Sequence, residues 1–185
     1  MMSTSTGLRV LVADLVKRPG AARSLQIDDH LGPLVVGEVE LDDDGRVALD
    51  LHLERIAEGI VVRGTLGATW SGRCARCLGP VAGTLEVAVD ELYEREPLEG
   101  ETYQLDIDSI DLEPLTRDAL GLEMPLAPLC RTDCAGLCPN CGIDRNVAVC
   151  TCQPDESDSR WAGLSNVRFD DDTSSDSSAD FPATD

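Results

Sequence analysis

An α+β domain is the fold class that the sequence predicts: a mainly antiparallel sheet (a meander), one principal helix and a cysteine-rich C-terminal lobe. Three observations predict it. Four segments between residues 34 and 89 repeat apolar side chains with a period of two, as half-buried strands do. One segment, 112–122, has helical spacing instead. Six of the eight cysteines fall within residues 130–152.

Residues 8–16 alternate loosely and read as a first strand. Arg18-Pro19-Gly20 then breaks the chain, and 21–32 reads as a polar loop or short irregular stretch. Leu34 to Leu41 reads as a strand. Asp42-Asp43-Asp44-Gly45 follows as a hairpin signal, because Asp-Gly tolerates the positive φ of a tight turn. The return segment alternates most cleanly: Val47, Leu49, Leu51 and Leu53 share one face, Arg46, Ala48, Asp50, His52 and Glu54 the other. Beyond a turn at Glu58-Gly59, the residues Ile60, Val62, Gly64, Leu66, Ala68 and Trp70 share a face. After Cys74–Cys77, Val81, Gly83, Leu85, Val87 and Val89 do the same. Four such segments joined by short turns predict an antiparallel meander with one buried face.

Residues 94–101 form a charged loop. A helix is expected over about 111–123, with Asp111 capping free N–H groups and Pro114 tolerated in the first turn. Leu112, Leu115, Ala119 and Leu122 would form its apolar face, and Pro125 and Pro128 would end it. The resulting organisation is a sheet plus helix over 1–128 and a cysteine-rich lobe over 129–153 packed on it in the same domain. A short docking segment over 154–168 and a low-complexity acidic tail over 169–185, expected to be disordered, complete the chain.

The chain has 185 residues and a formal charge of −20, with 15 Lys+Arg against 35 Asp+Glu. The acidity is not confined to the tail, since 26 acids and 13 basic residues precede residue 153. Such a polyanion is a poor general binder of nucleic acid, whose phosphates require clustered Lys and Arg. It favours a basic protein partner. No apolar run is long enough to cross a bilayer as a helix. The N-terminal residues lack the basic region and cleavage site of a signal peptide, so a reducing cytoplasm is expected. There, clustered cysteines are more often metal ligands than disulfides.

The cysteines are Cys74, Cys77, Cys130, Cys134, Cys138, Cys141, Cys150 and Cys152. Cys74-Ala-Arg-Cys77 and Cys138-Pro-Asn-Cys141-Gly142 have the spacing of zinc knuckles, in which a tight turn brings two thiolates to one Zn²⁺ at about 2.3 Å. Eight thiolates suffice for two closed, structural sites. One division groups Cys74, Cys77, Cys130 and Cys134, leaving Cys138, Cys141, Cys150 and Cys152 as a compact second site. The rival joins 74/77 with 138/141 as a split ribbon. Spacing alone does not choose between them, nor between zinc and an iron–sulfur cluster. A redox dithiol at Cys74–Cys77 is disfavoured because that motif should open a helix and here lies between strands.

Arg73, Arg76, Arg131 and Arg145 lie near the cysteines. They would either neutralise the thiolate charge or present a small basic face to RNA or a partner. His30 and His52 read as ordinary solvated side chains, and Trp70 as core. No phosphate loop, metalloprotease motif or catalytic triad spacing is present, so no catalytic residue is assigned and no small-molecule substrate is expected.

Several landmarks carry a family resemblance: Ile110-Asp111-Leu112, Met124-Pro125-Leu126-Ala127-Pro128-Leu129-Cys130, Asp133-Cys134-Ala135-Gly136-Leu137-Cys138-Pro139-Asn140-Cys141-Gly142, Asp144-Arg145-Asn146, and Cys150-x-Cys152. With Cys74-Ala-Arg-Cys77 before them, they resemble the YceD family, whose members are called large ribosomal RNA subunit accumulation proteins. The resemblance covers residues 8–165. It implies a cytoplasmic, non-enzymatic protein needed for synthesis, processing or stability of large-subunit (23S) ribosomal RNA. It further implies genes often adjacent to one for a small zinc-containing ribosomal protein. Some members keep the first cysteine pair and lose most later ones, which the resemblance turns in favour of a separate 138–152 site. The expected partner is a large-subunit precursor or a basic ribosomal protein, with weak direct affinity for naked RNA. The alternative is a zinc-responsive regulator without a direct ribosomal role.

Overall fold

A computed structural model describes residues 7–42, 44–152 and 159–166. The chain divides into two units, with the boundary between Cys150 and Thr151. Among the described residues the first unit holds nine strands and two α-helices: β1 (Arg9–Leu11), α1 (Ala13–Val16), β2 (Ala22–His30), β3 (Val35–Val36), β4 (Val39–Leu41), β5 (Arg46–Arg55), β6 (Ile60–Arg73), β7 (Pro80–Glu94), β8 (Tyr103–Gln104), β9 (Ser109–Asp111) and α2 (Glu113–Glu123). The second unit holds a 3₁₀ helix, Ser159–Asn166, on which Trp161 and Leu164 are exposed. The expected docking segment is thus described only over 159–166, and the expected acidic tail lies outside the described residues.

The mainly antiparallel sheet with few helices agrees with the α+β class. β5, β6 and β7 form a meander, and Val47, Leu49, Leu51 and Leu53 of β5 are all buried on one face while the residues between them face solvent. The turn between β5 and β6 closes where the Ile56 N–H donates to the Gly59 carbonyl at 3.0 Å. α2 packs on β6 and β7, and α1 on β5. Burying a Leu or Val side chain in such a core is worth about 1.5–3 kcal/mol, so the inner face supplies most of the unit's stabilisation. Tyr93, fully buried, ties helix to sheet: its hydroxyl donates to the Asp111 carbonyl at 3.1 Å, and its ring stacks on Tyr103 at 5.2 Å. That burial pushes its phenol well above the usual range.

Five local expectations are corrected, four in the sheet and one in the helix. Residues 8–16 are a three-residue strand followed by a one-turn helix, α1, whose Leu15 is buried. Residues 22–30 are a strand and not a loop. β2 pairs with β5 from Ala22↔Glu54 to His30↔Arg46, and its inner face holds only the half-buried Leu25 and Ile27 as aliphatic residues. An edge strand needs little apolar surface, so its sequence resembles a loop. The 34–41 segment is two short strands, because Gly37 adopts φ 61° and folds it into the β3–β4 hairpin.

The turn at Asp44-Gly45 forms, with Asp44 at φ 56° and Gly45 at φ 78°, but it does not join paired strands. Leu41 pairs with Trp70 and Val47 with Ala68, so β4 and β5 lie end to end along one edge of β6. The turn passes the chain along that edge, and the four-segment meander becomes three strands.

The helix begins as expected. Asp111 Oδ1 accepts the Glu113 N–H at 3.0 Å, and Pro114 sits in the first turn. Met124 is extended at its end, as a residue preceding proline must be. The apolar face differs by one residue: Leu122 is exposed, and Leu120 is buried with Leu112, Leu115 and Thr116. Thr116 and Leu120 stand one turn apart, which rotates the buried stripe away from Leu122. No described helix is long and apolar enough to cross a membrane.

Two glycines give a paired test of packing. A Cβ on Gly83 would lie 2.9 Å from the buried Trp70 ring, whereas one on Gly121, inside α2, would meet nothing within 4 Å. Gly83→Ala is expected to destabilise the chain by about 1–3 kcal/mol through overpacking. Gly121→Ala should stabilise it by roughly 0.5–1 kcal/mol through helix propensity. Denaturant unfolding of both variants checks the opposite signs.

Candidate metal centres

The first thiol set is assembled from the tip of the β6–β7 hairpin and the segment that follows α2. At the tip, the Cys74 N–H donates to the Gly79 carbonyl and the Leu78 N–H to the Cys74 carbonyl, at 2.8 and 2.9 Å. Pro125 to Pro128 lead the chain from the helix to this tip, where the Ala75 N–H donates to the Pro128 carbonyl at 2.8 Å. Cys130 and Cys134 then face Cys77 and Cys74, with Sγ···Sγ separations of 3.7 and 3.8 Å.

The second set begins on a knuckle with the same backbone pattern. The Cys138 N–H donates to the Ile143 carbonyl and the Gly142 N–H to the Cys138 carbonyl, each at 2.9 Å. The residue after the second cysteine has positive φ in both knuckles: Leu78 at 60° and Gly142 at 72°. Glycine takes that conformation without strain, while leucine costs about 1–2 kcal/mol there. Cys150 lies 3.2 Å from Cys138 and 3.6 Å from Cys141, sulfur to sulfur, and Cys152 completes the group.

In each set of four, the Sγ atoms all lie within 4.8 Å of one another, and each set could hold a metal ion. A tetrahedron of sulfurs about 2.3 Å from a central ion has edges of about 3.8 Å, so the donor type and most of these separations fit a four-thiolate site. All eight thiols are free, with no disulfide among them. The grouping is the first of the two divisions expected from the spacing; 74/77 do not join 138/141.

Electrostatics prepares the first cysteine of each knuckle for metal, while Cys77 is pushed up. The amides of Cys77, Cys130 and Arg76 lower Cys74 to about 6. The Cys141 amide, then the Cys150 thiol and the Asn140 amide, lower Cys138 to about 6. At Cys134, burial acts upward but is outweighed by the Asn146 side chain and the Gly136 amide, so its value falls. Burial and the neighbouring thiols push Cys130 up to about 12. Metal binding must displace that proton, because the ligand form is the thiolate.

The four arginines divide by task. Arg76 donates to the Thr132 and Cys134 carbonyls at 3.2 and 3.0 Å, and so fixes the post-helix loop. Arg131 donates to Asn146 Oδ1 at 2.7 Å and pairs with Asp133. Arg73 and Arg145 are exposed and form no ion pair among the described residues. His52 sits on the solvent face beside Ser24, and Trp70 is buried in the core.

Asn146 has a role that the sequence reading did not assign. Its Nδ2 donates to Cys134 Sγ at 3.4 Å and to Asp144 Oδ1 at 2.6 Å, while its Oδ1 accepts from Arg131 and the Ala135 N–H. It thereby joins the second knuckle's strap to the first thiol set. The only signal was its place in the Asp144-Arg145-Asn146 landmark. Gly136 supports the same junction: at φ 69° it lies against the Arg76 backbone, whose carbonyl accepts the Leu137 N–H.

Fold and site together define an α+β domain carrying two closed cysteine clusters. Residues 62–168 match the family described as large ribosomal RNA subunit accumulation protein YceD. The chain belongs to the YceD family. An uncharacterised protein of Mycobacterium tuberculosis H37Rv is 38% identical over 166 residues, covering 85% of this chain and 79% of the relative. One of Mycobacterium leprae is 33% identical, covering 84% and 75%. The Arabidopsis thaliana chloroplastic protein named large ribosomal RNA subunit accumulation protein YCED homolog 1 is 32% identical over 63 residues, 34% of this chain and 20% of its own. No solved structure matches.

Replacing Asn146 tests the junction. Loss of an outer-shell partner typically weakens metal affinity by about 10–100-fold. Asn146→Ala should do so for Co²⁺ titrated into the metal-free chain at the Cys74 set, with a smaller effect at the Cys138 set. Thiolate-to-cobalt absorption resolves the two when Cys138→Ser is combined with it.

Proposed function

We propose that this chain is a non-enzymatic factor in the accumulation of large-subunit ribosomal RNA, stabilised by two structural Zn²⁺ ions. Membership of the YceD family carries the reading, and the name of the plant relative agrees with it. Zinc is favoured by the donor set: four thiolates close each site and leave no position for a substrate or water, as in structural rather than catalytic zinc. Cys74, Cys77, Cys130 and Cys134 would hold one ion; Cys138, Cys141, Cys150 and Cys152 the other. Free thiols fit a reducing cytoplasm. The acidic surface fits a basic ribosomal protein or a protein-coated precursor particle better than bare RNA.

A second reading, a zinc-responsive regulator, is favoured by one observation: Cys141 and Cys152 are exposed, so the second site is open to exchange. Sedimentation separates the two. Under the first reading, the tagged full chain co-sediments with large-subunit precursors. A regulator remains free of particles and binds zinc reversibly at cellular concentrations.

Metal analysis of the purified chain is expected to give two zinc per chain. Cys138→Ser should lose one and leave the far-ultraviolet circular dichroism of the sheet unchanged, because the core lies elsewhere. One zinc or none in a carefully prepared wild type, with no iron, contradicts the two-site assignment.

At physiological salt the full chain is expected to bind purified basic large-subunit proteins more tightly than protein-free large-subunit RNA. Tight, salt-sensitive RNA binding that disappears in an Arg73→Ala/Arg145→Ala variant would reverse this order of partners. Arg76 and Arg131 are spared because their removal would disturb the thiol sites themselves.

A further inference from the structure

We infer that the free edge of β7 is a docking site for an extended, basic segment of another protein, which adds to the sheet as a further strand. The basic partner rests on the reading just given; the edge itself rests on hydrogen-bond accounting. β7 is fifteen residues long and pairs with β6 throughout, from Ile60↔Tyr93 to Arg73↔Pro80, without a bulge. On its other side it meets only β8, at Tyr93 and Glu94. The Glu94 carbonyl accepts the Leu105 N–H on that outer side. Backbone groups alternate sides along a strand. Hence Ala82, Thr84, Glu86, Ala88, Asp90 and Leu92 direct both N–H and C=O away from β6. Among the described residues, the parallel pairing with β8 takes up the Leu92 carbonyl, and the outward groups of Ala82, Thr84, Glu86, Ala88 and Asp90 have no backbone hydrogen-bond partner. The result is an edge about 27 Å long, from Ala82 to Asp90, whose main-chain donors and acceptors are unpaired among the described residues.

Natural proteins blunt such edges with lysine, proline, bulges or a covering element. β7 has proline only at its first residue and carries no lysine or arginine. It carries Glu86, Asp90, Glu91 and Glu94, of which, among the described residues, Asp90 alone is in an ion pair, with Arg63 at 2.9 Å. This charge pattern selects the occupant. A second copy would set acid beside acid, and this chain's own acidic C-terminal segment would do the same. A strand with Lys or Arg at alternate positions would place its basic side chains over the small Ala82, Thr84 and Ala88, within cross-strand reach of Glu86 and Asp90. Main-chain bonds would supply affinity and the acids would choose the sequence, as in other strand additions. The opposite edge, β2, is less suited. It is shorter, and its Arg23 pairs with Asp14 and donates to the Leu11 carbonyl at 2.7 Å, which ties it to the β1–α1 segment.

The test uses the full chain and a fluorescent, end-capped 11-residue peptide of alternating lysine and valine at about 0.1 M salt, where contact-range pairs survive screening. Its control is the same peptide N-methylated at alternate residues, which keeps the charge and removes the edge donors. The expected result is binding by the first peptide that is at least tenfold tighter than by the control. Hydrogen-exchange protection should rise at the Thr84, Glu86, Ala88 and Asp90 amides, and not at Val87 or Val89, which already face β6. A Thr84→Pro/Ala88→Pro variant, which removes two outward N–H groups and leaves the ladder to β6 intact, should lose at least tenfold with little change in melting temperature. If that variant does not fold, the N-methylated control and the exchange pattern decide. Equal binding of the two peptides, no binding, protection elsewhere, or a wild-type dimer formed through this edge would overturn the proposal. Strand addition by a chain that does not co-sediment with precursors leaves the edge standing and removes the ribosomal reading. Co-sedimentation without strand addition does the reverse.

Discussion

Among the described residues beyond Pro128, the apolar side chains that are buried are those of Cys134 and Cys138 alone. A segment of this length with so little burial cannot offset the entropy of ordering its backbone, at about 1–2 kcal/mol per residue. What orders residues 129–150 is therefore local: backbone bonds to the β6–β7 tip, the Asn146 junction and the sulfur clusters. Cys74 and Cys134 meet across sixty residues of chain. A cross-link at that point closes the loop containing β7, β8, β9 and α2, and so ties the lobe to the hairpin whose first strand, β6, is the centre of the sheet. The long hairpin is thus both the core of the fold and the arm that presents the first thiol set.

This dependence explains the two knuckles. Each uses one backbone solution, in which the first cysteine's N–H and C=O are both satisfied within the next five residues, leaving nearby amides to face sulfur. In the second knuckle the required positive φ falls on Gly142; in the first it falls on Leu78, more than half exposed. A strained leucine persists where surrounding bonds over-determine the backbone, and the hairpin register on one side with the Pro128 contact on the other does this. The lobe's own knuckle lacks such a frame and uses glycine.

The sequence made legible those features whose physics is local. The alternation of β5, β6 and β7, the Asp111 cap, the proline stop and the cysteine spacing all concern neighbours in the chain, and all are found. What escaped depends on distant partners. β2 reads as a loop because its inner face is half covered and its ladder partner, β5, lies across the sheet. The Asp-Gly turn was recognised as a turn, yet whether β4 returns on β5 or continues along β6 is decided by the length of β6, which no local pattern reveals. Leu122 and Leu120 both suit a helical stripe, and only the position of the sheet chooses between them. Spacing likewise left two groupings of the cysteines open, since the choice rests on where the proline-led segment returns. Asn146 was unreadable as a bridge because an asparagine's hydrogen-bond partners leave no trace in spacing.

Electrostatics connects the clusters to the choice of partner. Arg9, Arg23, Arg46, Arg63, Arg117 and Arg131 are each paired with a carboxylate. Most of these pairs are exposed and contribute little stability, about 0–1 kcal/mol each, but they remove positive charge from the long-range field. Arg46 holds the Asp28 carboxyl below its usual range and is itself neutralised in doing so. Among the described residues, the cations without an ion pair near the thiols are Arg73, Arg76 and Arg145, and Arg76 is held by the Thr132 and Cys134 carbonyls. Each four-thiolate zinc site carries a formal charge of −2, so two sites carry −4, more than these three guanidinium groups cancel. The cysteine-rich region is then acidic rather than basic, and nothing on it opposes the acidity of the rest. Phosphate is repelled at long range by such a surface, while a basic protein segment is drawn to it, most strongly where acids stand beside unsatisfied backbone.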